Sequence, residues 1–179
     1  MTRLSLWGYE LEVDEQATRA WYAQAEEWSC TCGHCCNFLA LARERKLPEE
    51  ILHILDSLSI PAEKATYVCE LYHDESWEKK GLLYEISWRV AGTVVQTPEK
   101  KQNNGTAWGP PVVFPTFQMM VGHECYNIQP EFPEPSFDLD ISLYLPWVLD
   151  EPLDGPEEEA TLNHEICLLY TSDAADDLI

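Results

Sequence analysis

Apolar and polar positions follow one period in the first third of the chain and another in the remainder. After an alternating stretch that predicts a strand over residues 4–13, apolar residues recur at helical spacing, which predicts helices over 15–28 and 35–46. A third helix is predicted to begin at Pro48, a residue suited to a first helical turn, and to end before Pro61. Apart from its opening strand, the first third is therefore predicted to be helical.

From residue 66 onward the alternation has the two-residue period of β-strands. Strands are predicted over 66–73, 82–90 and 137–147, with one more inside 112–125, and Cys69 is placed on the apolar face of the first. In the last strand the residues expected to face the core are Phe137, Leu139, Ile141, Leu143, Leu145 and Trp147. The intervening Asp138, Asp140, Ser142 and Tyr144 are expected to face water, as in an antiparallel sheet with one solvated side.

Helices followed by antiparallel strands predict an α+β fold, in which the N-terminal helices pack on the sheet. The chain has 179 residues, enough for one domain with its own core, which we assign to 1–150. Residues 151–166 are acidic and contain two prolines, so they are predicted to be a flexible segment. Residues 167–179, when back-translated, resemble a transposase adapter of DNA sequencing libraries, and we expect them to be adapter read-through rather than native protein.

The formal net charge of -21 changes the range of expected partners. It opposes direct binding to nucleic-acid phosphates and favours a protein partner. No apolar stretch approaches the ~20 residues of a membrane span, and no basic start followed by an apolar run suggests a signal peptide. The expected location is the cytoplasm of a bacterial cell, where cysteines remain reduced.

Four of the seven cysteines lie between residues 30 and 36, and they form the chain's clearest candidate for chemistry. Cys32 and Cys35 have the spacing of a zinc half-site, with Gly33 allowing the tight turn between them. Cys30 is a candidate third ligand from the same loop. The candidates for completing the set are Cys69, or His123 with Cys125. The implied cofactor is one structural zinc, or none.

Two other interpretations of these cysteines remain open. Cys32-Gly33-His34-Cys35 has the same four residues as the active site of protein disulfide isomerases, but that site follows a buried strand, and here the preceding segment has helical period. The alternative is a purely structural role, because cysteine is among the most frequently buried residues and Cys35 lies on an apolar helical stripe.

Outside the cysteine stretch, the sequence offers weaker signals. Trp77 and Trp108 lie in predicted loops, where exposed aromatic residues can anchor a protein partner. Asp138 and Asp140 share one strand face, but a solvated face explains them equally well. No histidine has a nucleophile that the sequence alone pairs with it, so no catalytic residue is predicted.

Two segments carry a resemblance to a known group of proteins. The stretch from Trp21 to Asn37-Phe38, with its C-x-C-x-x-C-x-N-F motif, and the sequence Leu145-Pro146-Trp147-Val148-Leu149 resemble an uncharacterised family from Firmicutes and their phages. The resemblance implies a bacterial or phage source, compatible with community DNA, and it transfers no activity.

Together these observations predict a non-enzymatic protein that acts by binding another protein, for instance as an inhibitor of a host protein. An acidic mimic of DNA is a variant of this hypothesis, since clustered negative charge can occupy a site built for phosphates. A metal-dependent or thiol-dependent enzyme is the alternative from a different class.

Overall fold

A computed structural model of the chain describes residues 1–98, 111–122 and 131–153. Its strands are β1 (Thr2–Leu6), β2 (Tyr9–Val13), β3 (Tyr67–Tyr72), β4 (Leu82–Gln96), β5 (Val112–Val113), β6 (Phe117–Gly122) and β7 (Ser136–Leu145). Its helices are α1 (Glu15–Gln24), α2 (Gly33–Arg43), α3 (Glu49–Ser57) and α4 (Trp77–Lys80), with a 3-10 turn over Ala62–Lys64. The α+β prediction is confirmed. Within the described ranges, no helix has the length and apolar character needed to cross a membrane.

The sheet is antiparallel and is built around β4, its longest strand. Six of its seven strands follow the order β1-β2-β4-β7-β6-β5, and the seventh, β3, pairs with β4. One edge of β4 pairs with β7 from Leu82 to Ala91. The opposite edge is shared, because β3 pairs with the first part of β4 and β2 pairs with its end. At Gly92 the β2 backbone comes so close that an added Cβ would lie 2.1 Å from a carbonyl oxygen, and only glycine fits there.

Helix α1 fills the interval on this shared edge between β3 and β2. The hydroxyl of Tyr22 donates to the Arg89 carbonyl at 3.0 Å, and the Ala91 N–H donates to Thr18 Oγ1 at 3.1 Å. The Asp14 N–H donates to the Ala91 carbonyl at 2.8 Å. These bonds replace the missing ladder partners, so the edge of β4 stays satisfied where no strand covers it.

The core lies between the helices and one face of the sheet. Phe38 of α2 packs against Trp88 of β4 with ring centroids 6.4 Å apart, and the Trp88 indole donates to the Ala62 carbonyl at 3.1 Å. From β7 the residues Leu139, Ile141, Leu143 and Leu145 are all at most 2% exposed, as predicted.

The prediction that Asp138 and Asp140 face water is wrong, because they are only 3% and 2% exposed. Both find partners directly across on β4: Arg89 Nε donates to Asp138 Oδ1 at 3.0 Å, and the Ser87 hydroxyl donates to Asp140. The ring of Phe132 lies 5.8 Å from the Arg89 guanidinium, so this end of the second sheet face is also covered. Asp138 and Asp140 of β7 therefore form a buried polar layer with Arg89 and Ser87 of β4.

The single strand predicted over 4–13 is instead the hairpin of β1 and β2. Its two-residue turn places Trp7 and Gly8 at φ of 45° and 93°, the positive values that such a turn requires. Trp7 is consequently 41% exposed rather than on a core face. The alternation continues through the turn, and for that reason the pattern did not reveal it.

The face predicted for β3 is also wrong. A register shift between Glu70 and Tyr72 moves one residue out of the alternation, as a β-bulge does. Val68 is buried, whereas Leu71 is 48% exposed and Cys69 is half-buried. Between β3 and β4, the predicted polar loop contains the short helix α4.

Candidate metal centre

The loop between α1 and α2 carries the cysteine stretch. Helix α1 ends early because Ala25 is extended, with ψ of 144°, and the following residues lead the chain away from the helix axis. The Trp28 N–H donates to the Glu63 carbonyl at 3.1 Å, which fixes the start of the loop. Cys32 is the N-cap of α2, and its carbonyl accepts the Cys36 N–H at 2.9 Å. The loop is therefore anchored at both ends.

Three sulfur atoms converge in this loop. The Sγ atoms of Cys30, Cys32 and Cys35 lie within 4.8 Å of one another, and those of Cys30 and Cys32 are 3.4 Å apart. Four ligands at 2.3 Å around a tetrahedral zinc place two sulfurs ~3.8 Å apart, so the observed spacing is close to that of a zinc site. Cys32 and Cys35 are buried, while Cys30 is half-buried at the surface of the loop.

The electrostatics of the loop depend on whether a cation is bound. A hydrogen bond with Cys32, burial, and the charge of Cys32 together raise the pKa of Cys35 far above its ordinary value. Burial and the neighbouring sulfurs likewise raise the pKa of Cys36. Without a metal, the Cys35 and Cys36 thiols are therefore harder to ionise than free thiols. A bound cation reverses this balance, because thiolates at a metal are stabilised by its charge.

Two features of the loop favour thiolates once a cation is present. The N-terminus of α2 begins at Gly33, so its free N–H groups and the positive end of its dipole lie beside the sulfurs. The buried indole N–H of Trp28 makes no conventional hydrogen bond among the described residues, and it lies close enough to Cys35 to lower the pKa of that thiol. A thiolate accepts such a hydrogen bond better than a thiol does.

Asn37 joins α2 to the segment that follows β7. It is completely buried, its side-chain amide donates to the Pro146 carbonyl at 3.0 Å, and its Oδ1 accepts the Val148 N–H at 2.8 Å. Between these two bonds, Trp147 lies over Gly33, where an added Cβ would be 3.1 Å from its ring. The start of α2 and the segment after β7 are therefore in direct contact, and Trp147 covers part of the thiol loop.

The other predicted site residues are distributed as follows. Cys69 is outside the three-sulfur group, and its thiol donates to the Glu70 carbonyl at 3.4 Å. Trp77 is half-buried and packs against the core. His123, Cys125 and Trp108 lie outside the described residues, as does all of the segment 154–179.

Sequence reasoning missed a histidine pair beside the loop and the role of Asn37. The rings of His34 and His73 have centroids 6.2 Å apart, and a Glu70 carboxylate oxygen lies 3.0 Å from His73 Nδ1. A register shift in β3 lies between Glu70 and Tyr72, and a simple alternating pattern does not reveal it. Asn37 did leave a signal, because it is a polar residue on the apolar stripe of α2.

In protein disulfide isomerases the Cys-Gly-His-Cys motif follows a buried strand. In this chain the same four residues follow helix α1 and its loop. The four-residue match is therefore not supported by its surroundings. No protein-family model, curated protein or solved structure matches this chain.

Proposed function

We propose that this chain is a non-enzymatic, zinc-binding protein of bacterial or phage origin that acts by binding another protein. The observation that carries the zinc assignment is the convergence of Cys30, Cys32 and Cys35 within 4.8 Å. Thiolates are among the preferred ligands of zinc, and two of these three are buried, away from competing water.

Zinc would act on the structure of the loop rather than on a substrate. Buried thiols that are hard to ionise are poor nucleophiles, which disfavours a thiol-dependent reaction. With zinc bound, the loop, the start of α2 and the covering Trp147 would be held together by one ion. The exposed surface of the domain would then be a rigid platform for a partner, which the charge of -21 would attract over a distance.

The zinc assignment is tested by metal content and by stability. The purified chain should contain about one zinc, and a strong chelator should lower its melting temperature by several degrees, because zinc binding is coupled to folding. Cys35→Ser should cause the same loss. Cys36→Ser is the matched control, because its thiol donates to the Thr31 carbonyl at 3.5 Å and lies outside the three-sulfur group.

A metal-free sample that does not take up zinc, and whose melting is unaffected by the chelator, would contradict the assignment. Cobalt substitution gives an independent measure, since absorption near the thiolate charge-transfer region reports sulfur ligands directly. The contact role is tested separately by capturing partners from a bacterial lysate, identifying them, and reconstituting the complex from purified components.

A further inference from the structure

Two exposed tyrosines flank a leucine across three neighbouring strands. Tyr72 of β3 lies opposite Leu83 of β4, which in turn lies opposite Tyr144 of β7. Residues directly opposite one another share a face of the sheet, so the three side chains form one row. Tyr72 is 57% exposed and Tyr144 is 51% exposed, while Leu83 is half-buried between them. We call these three residues the tyrosine row.

A carboxylate lies next to the row on the same face. Glu85 is two residues beyond Leu83 on β4, so it shares the face and its Cβ lies within ~7–8 Å of both flanking tyrosines. It is half-buried, and it makes no hydrogen bond or ion pair with the other residues that the structure describes. Burial raises the pKa of Glu85, which means that its charge is incompletely compensated within the described structure.

A lysine beside the row is already paired. Lys80 lies near both tyrosines, but Asp74 accepts its hydrogen bond at 3.0 Å. Glu75 and Glu78 are exposed in the same connection between β3 and β4. The exposed Lys79 lies in this connection as well, so with Asp74 and Lys80 the connection has three carboxylates and two lysines. Together with Glu85, the charges around the row remain net negative, in keeping with the net charge of the chain.

We propose that the tyrosine row and Glu85 bind an arginine side chain of a basic partner protein, which deepens and rests on the proposed contact function. A guanidinium is planar, so it can stack on a tyrosine ring and at the same time donate two hydrogen bonds to one carboxylate. Lysine is a compact point charge and cannot do both. The row provides two rings, and Glu85 provides the acceptor.

The probe is a pair of fluorescein-labelled peptides, one with four arginines separated by glycine and serine and one with four lysines in the same positions. Binding to the full chain is measured by fluorescence anisotropy at physiological salt. The arginine peptide should bind at least fivefold more tightly than the lysine peptide. Tyr144→Ala, Tyr72→Ala and Glu85→Gln should each weaken arginine-peptide binding about tenfold, as residues at the centre of an interface do.

Two control variants separate the row from the general acidity of the surface. Glu26→Gln removes one exposed charge elsewhere, and Val113→Ala removes an apolar side chain that is 73% exposed on β5. Neither should change binding more than twofold. Melting temperature and zinc content are recorded for every variant, so that a folding defect is not mistaken for a binding defect.

Equal binding of the two peptides, or equal effects of the row and control variants, would overturn the arginine assignment while leaving the zinc and contact proposals untouched. The same holds if neither peptide binds but a partner captured from lysate does. If the captured partner is bound through the row, Glu85→Gln should weaken that complex as well, and failure to do so would place the contact elsewhere.

Discussion

Asp140 is a carboxylate held in the interior at an energetic cost. Burial is the largest influence on it, followed by the opposing hydrogen bond from Ser87, and the negative charge of Asp138 adds to the effect of burial, so that its pKa rises to about 8. Its Oδ2 atom is buried and has no hydrogen-bond partner among the described residues. Near neutral pH this group therefore retains its proton in the folded protein and loses it in the unfolded chain.

This difference predicts how stability depends on pH. A carboxyl group whose pKa is raised on folding contributes stability that is fully present below the unfolded pKa and is lost as pH rises through the folded value. From Asp140 alone, the free energy of unfolding should fall between about pH 4 and pH 8, by at most about 1.4 kcal/mol per pH unit, and level off above pH 8. Urea denaturation at a series of pH values measures this slope.

Asp140→Asn should remove that slope and stabilise the protein most at pH 8 and above, since an amide has no charge to bury. Asp138→Asn is the informative contrast, because it leaves the Arg89 guanidinium, which is 2% exposed, without its ion-pair partner. It should destabilise the fold by roughly 3 kcal/mol. If both variants behaved alike, the two carboxylates would not have the different roles that the structure gives them.

Asp138 and Asp140 also show which property of a residue the sequence pattern did not predict. Alternation placed Asp138 and Asp140 together on one face, and that is correct. It does not say whether the face meets water. The answer depends on Ser87 and Arg89, which lie directly opposite only in the register that β4 and β7 adopt. Whether a polar face is buried depends on which strand it pairs with and in which register. The pattern of a single strand does not give that information.

At the scale of elements, α1 is connected to the sheet through side-chain and backbone hydrogen bonds at the edge of β4. Thr18 is completely buried, and its hydroxyl is the acceptor for the Ala91 N–H. Thr18→Val keeps the shape and removes that acceptor, so it should cost about 1–3 kcal/mol for an unsatisfied buried N–H. Thr2→Val on the exposed strand β1 is the control and should be nearly neutral. Chemical denaturation of both variants gives the comparison, and equal stabilities would mean that water or another group satisfies Ala91.

Asn37 is a second connection between elements, this time between α2 and the segment after β7. Asn37→Ala would leave the Pro146 carbonyl and the Val148 N–H without their side-chain partner. We expect a loss of about 1–3 kcal/mol, because each hydrogen bond contributes about 0.5–1.5 kcal/mol and the exposed Pro146 and Val148 leave water able to satisfy the freed groups. Trp147 should become more mobile over Gly33, which its fluorescence quenching by acrylamide would report. An unchanged melting temperature would show that the segment is held by packing alone.

The three helices and the last strand could be read from spacing because their residues repeat with a clear period. The thiol loop was recognised from composition, and Cys30, Cys32 and Cys35 do meet. What brings them together was not readable: α1 ends at Gln24 rather than near Trp28, and the cover from Trp147 comes from more than a hundred residues away in the chain. Long-range contacts of this kind leave no local pattern in the sequence.

At the scale of the whole molecule, the sheet joins distant parts of the chain. The N-terminal hairpin pairs with the end of β4, and β7 lies between β4 and β6. Alternation identified most strands but not their order, because any strand with one apolar face can pair with any other. The high net charge adds a uniform repulsion that the core must overcome, so stability is expected to increase as salt screens it.

A substitution at Ile141 tests whether burial at the centre of this sheet is required for the domain to fold. It is completely buried, and it lies between Ile86 of β4 and Met119 of β6. Ile141→Asp places an unpaired charge there, which costs several kcal/mol. Because whole domains are stable by only about 5–15 kcal/mol, the variant should be largely unfolded by circular dichroism.

Leu71→Asp separates burial from charge. It adds the same negative charge to the chain of -21, but at a position that is 48% exposed on β3. If burial decides the outcome, Leu71→Asp should remain folded with a melting temperature within a few degrees of the parent, while Ile141→Asp does not fold. If added negative charge decides it, both variants should lose stability alike, and raising the salt concentration should restore both, because screening weakens repulsion between exposed charges but does not hydrate a buried one.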